Sequence, residues 1–165
     1  MKNSVVTLFA SCLALACVAV TLADDKPVKQ PIKLQAKKKI ETVKCPVAGK
    51  EIKIADAKTV SYRKANVYVC CDNCKGKMEK DTAPFAAKAN HQLVRTRQFR
   101  QTKCPLSGGP IDKEQKVKVS GQMVRFCCEK CQGKTAEAKG DAQLAMVFAD
   151  AAFDKGFTAV KKKKK

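Results

Sequence analysis

The chain has 165 residues, 34 Lys and Arg against 15 Asp and Glu for a net charge of +19, ten Cys, one His and no Trp. That length holds one or two small domains. A lone imidazole, and carboxylates that recur at matching positions only as Asp72 and Glu129, where a helix cap is wanted, leave no catalytic set, so an enzyme is not expected. The charge implies attraction to polyanions, but no aromatics interleave with the basic residues as in single-strand binders, so nucleic acid is not expected as a partner.

Residues 1–23 have the build of a secretory signal: Lys2, a mostly apolar run over residues 5–20, then Thr21-Leu22-Ala23 before Asp24-Asp25. Cleavage is expected after Ala23. The run falls short of the roughly 20 apolar residues that a span requires, and Thr7 and Ser11 interrupt it, so the mature chain is expected to have no transmembrane segment. Cys12 and Cys17 leave with the signal, and eight cysteines remain in a secreted or periplasmic protein. Residues 24–43, rich in Lys, Gln and Pro and without a helical or strand period, are expected to form a basic flexible linker. Removing Lys2 lowers the charge to +18, and setting aside the five lysines of 161–165 leaves +13, so the basic character is spread along the chain. These lysines solvate the surface and offer an anionic envelope surface as a partner.

The first cysteine module is expected over residues 44–94. Cys45-Pro46-Val47-Ala48-Gly49 predicts a tight turn. Ile52 and Ile54 then alternate with Lys53, and Val60-Ser61-Tyr62 and Val67-Tyr68-Val69 flank Lys64-Ala65-Asn66 in a hairpin pattern. The second strand runs into Cys70-Cys71-Asp72-Asn73-Cys74, where Asp72 or Asn73 can cap a helix. Asp81-Thr82-Ala83-Pro84 interrupts that helix before a second one over about residues 84–93.

The second module, residues 95–157, repeats the plan. Lys103-Cys104-Pro105-Leu106-Ser107-Gly108 answers Lys44-Cys45-Pro46-Val47-Ala48-Gly49, and Cys127-Cys128-Glu129-Lys130-Cys131 answers the first knuckle, at offsets of 59 and 57 residues. Val117, Val119, Val124 and Phe126 flank a Ser120-Gly121 turn. A helix opens at the knuckle and Gly140-Asp141 breaks it. Residues 142–153 then predict one helix burying Leu144, Val147, Phe148, Ala151 and Ala152. Residues 158–165 are expected to be a lysine tail.

Modules this small require a staple, either disulfides or a metal ion. An ion held by thiolates needs three or four sulfurs about 2.3 Å from one point, more than one local segment can supply. Here a knuckle offers two or three and a distant turn the rest, with 24 residues between Cys45 and Cys70 and 22 between Cys104 and Cys127. The candidate ligands are Cys45, Cys70, Cys71, Cys74, Cys104, Cys127, Cys128 and Cys131. Three thiolates per site suit Cu(I); four, with the whole doublet engaged, suit Zn(II). Adjacent residues of an extended strand point to opposite faces, so both members of a doublet reach one ion only if the chain turns there. A helix opening at the knuckle would lower the thiol pKa values. His91, with no counterpart in the second copy, is expected to be a surface residue. Two other readings stay open: a disulfide-stapled binding scaffold without metal, and a thiol–disulfide redox protein using Cys71-Asp72-Asn73-Cys74 and Cys128-Glu129-Lys130-Cys131. Lys75 and Gln132, where haem attachment would need His, exclude that chemistry.

The order of an opening cysteine, a spacer near 20, and an apolar or aromatic run into Cys-Cys-x-x-Cys resembles the TRASH and YHS class of small metal-binding domains. The resemblance covers about residues 44–90 and 103–140. Ala48 and Ser107 stand where that class usually has a second cysteine in the opening phrase, and Met78 and Thr135 stand near its usual Phe. It implies an α+β fold of two small zinc-ribbon- or treble-clef-like modules, each a β-hairpin, cysteine knuckle and helices, following the signal peptide. It also implies a role in sensing, carrying or sequestering copper or zinc. The function expected is non-enzymatic binding of such thiophilic ions for sequestration, transfer or structural stabilisation.

Overall fold

In the computed structural model, which describes residues 40–161, the chain forms short strands and helices in a mixed α+β arrangement. The expected signal peptide, the linker up to residue 39 and lysines 162–165 lie outside the described residues. In the first half come β1 (Thr42–Lys44), β2 (Glu51–Lys53), β3 (Lys58–Tyr62), β4 (Ala65–Val69), α1 (Asp72–Lys80) and α2 (Ala86–Arg95). The second half has β5 (Phe99–Gln101), β6 (Lys116–Val119), β7 (Gln122–Arg125), α3 (Glu129–Glu137), α4 (Gly140–Phe148), α5 (Asp150–Gly156) and β8 (Phe157–Ala159). The strands pair in four antiparallel two-stranded ladders: β1 with β2, β3 with β4, β5 with β8, and β6 with β7.

The two hairpins that lead into the knuckles are set by their valines. Val60 opposes Val67 and Val117 opposes Val124, and a one-residue slip would turn Val60, Val67 and Val124 out of the core. That register puts the first turn at Arg63-Lys64, with Ala65 and Asn66 already in β4, rather than at Lys64-Ala65-Asn66 as the sequence suggests. Both turn residues have positive φ, 53° and 59°, the type I′ geometry that ordinarily calls for Asn or Gly. Tertiary contacts hold it. The Arg63 guanidinium pairs with Asp150 at 2.7 Å and with Asp154, and lies 5.1 Å from the Phe153 ring centre. The second turn falls at Ser120-Gly121 as expected, with φ of 46° and 84°.

Helix α1 buries Cys74 and Met78 one turn apart, and α2 buries Ala86, Ala89, Leu93 and Val94 as an apolar stripe, with the polar Asn90 and Gln92 buried beside it. The single helix expected over residues 142–153 is instead two. The chain breaks at Ala149, whose ψ is 152°, leaving Ala151 exposed and Ala152 half-buried. In an unbroken helix Phe153 would sit about 140° around the axis from Phe148, off the core face. The break re-aims it, so that its ring stacks on Phe157 and tilts on Phe99, both at 5.0 Å between centres. Burying such a ring stabilises the fold by roughly 2–3 kcal/mol.

One continuous apolar cluster unites residues of both halves, from Val60, Val67 and Leu93 to Phe126, Phe148 and Phe153, and includes Cys45 and Cys104. Strand β1 takes in Thr42 and Val43, which the sequence reading leaves in the linker, because Val43 is buried opposite Ile52. Likewise β8 takes in Thr158 and Ala159 from the expected tail by pairing with β5. The repeat thus extends to turn, hairpin and knuckle helix but not to every ladder: β1 pairs with the strand next in sequence, and β5 with one from the far end. Among the described residues no helix is long and apolar enough to cross a membrane.

Candidate metal centres

Each centre begins in a five-residue turn. The Cys45 N–H donates to the Lys50 carbonyl and the Gly49 N–H to the Cys45 carbonyl, both at 2.8 Å, with Gly49 at φ +69°. The second turn repeats this with Cys104 N–H to Gly109 at 2.9 Å, Gly108 N–H to Cys104 at 2.8 Å, and Gly108 at φ +76°. A positive φ at those points is what glycine supplies. The turns aim backbone N–H groups at the sulfur inside, such as Ala48 N–H at Cys45 Sγ, 3.5 Å away.

The other sulfurs come from the strand-to-helix corner. Cys71 and Cys128 occupy the N-cap positions of α1 and α3 with extended backbone, φ −160° and −163°. Each corner brings the cysteine before it together with the third residue of the helix. Cys70 Sγ lies 3.5 Å from Cys74 Sγ, and Cys127 Sγ 3.7 Å from Cys131 Sγ.

The sulfurs of Cys45, Cys70 and Cys74 all lie within 4.8 Å of one another, as do those of Cys104, Cys127 and Cys131. Sulfurs about 2.3 Å from a tetrahedral ion are about 3.8 Å apart, so these separations fit a bound ion. They do not fit disulfides, whose S–S bond is about 2.05 Å, and all eight described cysteines are free. Either cluster could therefore hold a metal ion. Six of the eight candidate ligands are brought together in two sets of three. Cys71 and Cys128 fall outside those sets, exposed at the rim, each 3.7 Å from the doublet partner's sulfur.

The electrostatics divide the sulfurs. Burial works to raise the Cys45 thiol, but the N–H groups of Ala48, Cys70 and Val47 outweigh it and hold it below the ordinary value. Burial likewise opposes ionisation of Cys104, and there the Ser107 hydroxyl and the N–H groups of Ser107, Cys127 and Leu106 bring it down to about 7. The capping cysteines are lowered too, Cys71 by the N–H and thiol of Cys74 and Cys128 by the N–H of Cys131 and the thiol of Cys127. Bonding from Cys74 favours the Cys70 thiolate, yet desolvation and the sulfurs of Cys71 and Cys45 leave it raised. Burial and the neighbouring sulfurs push Cys74 and Cys131 up to about 12. In each cluster the turn thiol ionises readily and the helix thiol, Cys74 or Cys131, resists ionising beside it. A cation between them supplies the missing charge.

Two residues that sequence reasoning passed over hold these clusters together. Gln92 of α2, 2% exposed, donates from Nε2 to the Lys44 carbonyl at 2.9 Å and the Tyr68 carbonyl at 2.8 Å, and its Oε1 accepts from Tyr68 N–H at 2.7 Å. It ties the residue before Cys45 to β4, the strand that leads into Cys70. Gln101 of β5 does the same in the second half, donating to the Lys103 and Arg125 carbonyls at 3.1 and 2.6 Å and accepting from Arg125 N–H at 2.9 Å. Lys103 and Arg125 are the repeat counterparts of Lys44 and Tyr68, but Gln101 is not the counterpart of Gln92. A Gln beside Leu93 and Val94 on an apolar helix stripe was the available signal for the first; Gln101 had none.

His91 is not on the open surface as expected. Its ring meets Phe148 edge-on at 5.1 Å, and it lines a cleft of about 270 Å³ with Lys44, Lys88, Arg95 and Ser120.

Comparison with models of known protein families, with curated proteins and with solved structures found no match for this chain. The class defined by fold and site is a mixed α+β protein with two three-cysteine clusters, each able to hold a metal ion. Which ion, and to what end, is a question for the chemistry of the donors.

Proposed function

We propose that the protein is an exported, non-enzymatic binder of thiophilic metal ions of the zinc or copper class, one at each cluster, serving sequestration, transfer or structural stabilisation. The observation that carries this reading is the twofold convergence of a remote turn sulfur with two knuckle sulfurs inside 4.8 Å. Turn, hairpin and helix N-terminus occur in the order of a treble-clef-like module, which supports the resemblance to the TRASH and YHS class. All-sulfur donors select soft ions over calcium or magnesium, which take oxygen ligands. With Cys71 and Cys128 outside, each site offers the three sulfurs that suit Cu(I); swinging the capping sulfur inward completes the four that suit Zn(II).

The mostly apolar run at residues 5–20 supports export, and the charge of +18 that remains without Lys2 supports attraction to anionic envelope surfaces. The test is metal analysis of protein exported from its host, with free thiols counted before and after a chelator. Two equivalents of zinc or copper, with thiols that become reactive when the ion is stripped, bear the reading out. Metal-free protein with no reactive thiol supports the disulfide scaffold, and reversible dithiol exchange without metal supports the redox protein.

A further inference from the structure

The two clusters share backbone geometry, and among the side chains that differ at their edges one brings a hydroxyl against a candidate ligand. Ser107 Oγ lies 3.1 Å from Cys127 Sγ. The Gly109 N–H donates to the same oxygen at 3.1 Å, and where Cys127 is a metal-bound thiolate, with no hydrogen of its own, the hydroxyl is the donor of the pair. At the matching positions of the first turn stand Ala48, which has no hydroxyl, and Lys50 in place of Gly109. The glycine belongs to the same device: a Cβ there would meet Ser107 Oγ at 3.3 Å and Cys127 Cβ at 3.8 Å, crowding the oxygen. Backbone N–H groups face the turn sulfur in both copies and so create no difference between them.

A hydroxyl donating to a thiolate withdraws electron density from it, and a less basic thiolate is a weaker nucleophile. Building on the metal-binding reading above, we infer that Ser107 makes the two centres unequal, the second surrendering its ion to thiol-directed electrophiles more slowly than the first. With an aromatic disulfide as the electrophile, a cysteine sulfur attacks one sulfur of the reagent. A mixed disulfide forms, the S–S bond of the reagent breaks, and one aryl thiolate leaves with the electron pair. The ion that loses this ligand passes to a chelating dye.

The experiment uses the full chain loaded with zinc and treated with excess aromatic disulfide. Two equivalents of zinc are expected in two phases whose rates differ about three- to tenfold, the weight of one net hydrogen bond. Among the six sulfurs of the two sets, mass mapping should place the first modified ones at Cys45, Cys70 and Cys74, the exposed Cys71 and Cys128 reacting apart from zinc release. Ser107→Ala, at an exposed position, should merge the slow phase into the fast one. Ser107→Thr, which restores a hydroxyl, should keep it slow, and Ala48→Ser combined with Lys50→Gly should slow the first site. A single phase in the native chain, or two phases unmoved by Ser107→Ala, overturns this inference while leaving metal binding intact. A chain that takes up neither zinc nor copper overturns both.

Discussion

Thiols as crowded as these are poor neighbours for one another unless something positive sits among them. The opposed shifts, with Cys104 near 7 and Cys131 near 12, are the mark of that frustration. His91 carries a different one. Burial first, then the charges of Arg95 and Lys44, hold its pKa near 4 against 6.5 for a free imidazole, and the Ser120 carbonyl offsets this only in part. The same cleft is lined by Glu51 and by Lys88, which pairs with Asp141 at 3.0 Å. The unfolded chain takes up the proton near 6.5 and the folded chain only near 4, so acid favours unfolding. This contribution to stability is complete above about pH 6.5 and is lost as the pH falls to about 4, a change of ~3 kcal/mol. Urea unfolding across that range should show the slope, and His91→Gln should flatten it; an unchanged slope in the variant would count against the buried neutral imidazole.

Between elements, the alignment of sulfurs depends on two glutamines and one close approach. Gln92→Leu leaves the Lys44 carbonyl and both backbone groups of Tyr68 without their partner, at a cost of ~2–3 kcal/mol. It should weaken metal binding at the first cluster by about 10- to 100-fold, the usual effect of losing a group that orients ligands. Chelator competition should find the second cluster unchanged. The second cluster has its own dependence. Gly156 accepts from the Thr102 and Lys103 N–H groups, and a Cβ at Gly156 would meet Pro105 Cα at 2.9 Å. Gly156→Ala should therefore lower stability by about 1–3 kcal/mol in a thermal melt and weaken the second cluster, next to Pro105, more than the first.

Much of this scale was legible beforehand and some was not, for physical reasons. The knuckles declared themselves because Cys-Cys-x-x-Cys recurs after a strand pattern, and the Ser120-Gly121 turn because its second residue is glycine. The Arg63-Lys64 turn was hidden because distant acids on α5, not local glycine, stabilise it. The break at Ala149 carries no Gly or Pro, and only the demand for Phe153 in the core reveals it. Pairing of β5 with β8 joins residues nearly sixty apart, which no local period can report.

For the molecule as a whole, both clusters lie at the margin of one shared core, with Cys45 and Cys104 fully buried in it. An ion at either cluster therefore stabilises the common fold. Stripping the metal with a chelator should lower the melting temperature, and resupplying it at one hundred times its Kd should recover about 2.7 kcal/mol per site by mass action. A melting curve indifferent to chelator and metal would separate binding from folding.

The most direct test looks at the ion itself, by X-ray absorption on the metal-loaded chain. The account predicts a first shell of three or four sulfur atoms at about 2.3 Å, with sulfur lost from it on average when Cys74→Ser and Cys131→Ser are introduced. A first shell dominated by oxygen or nitrogen, or one unaltered by those substitutions, would contradict it.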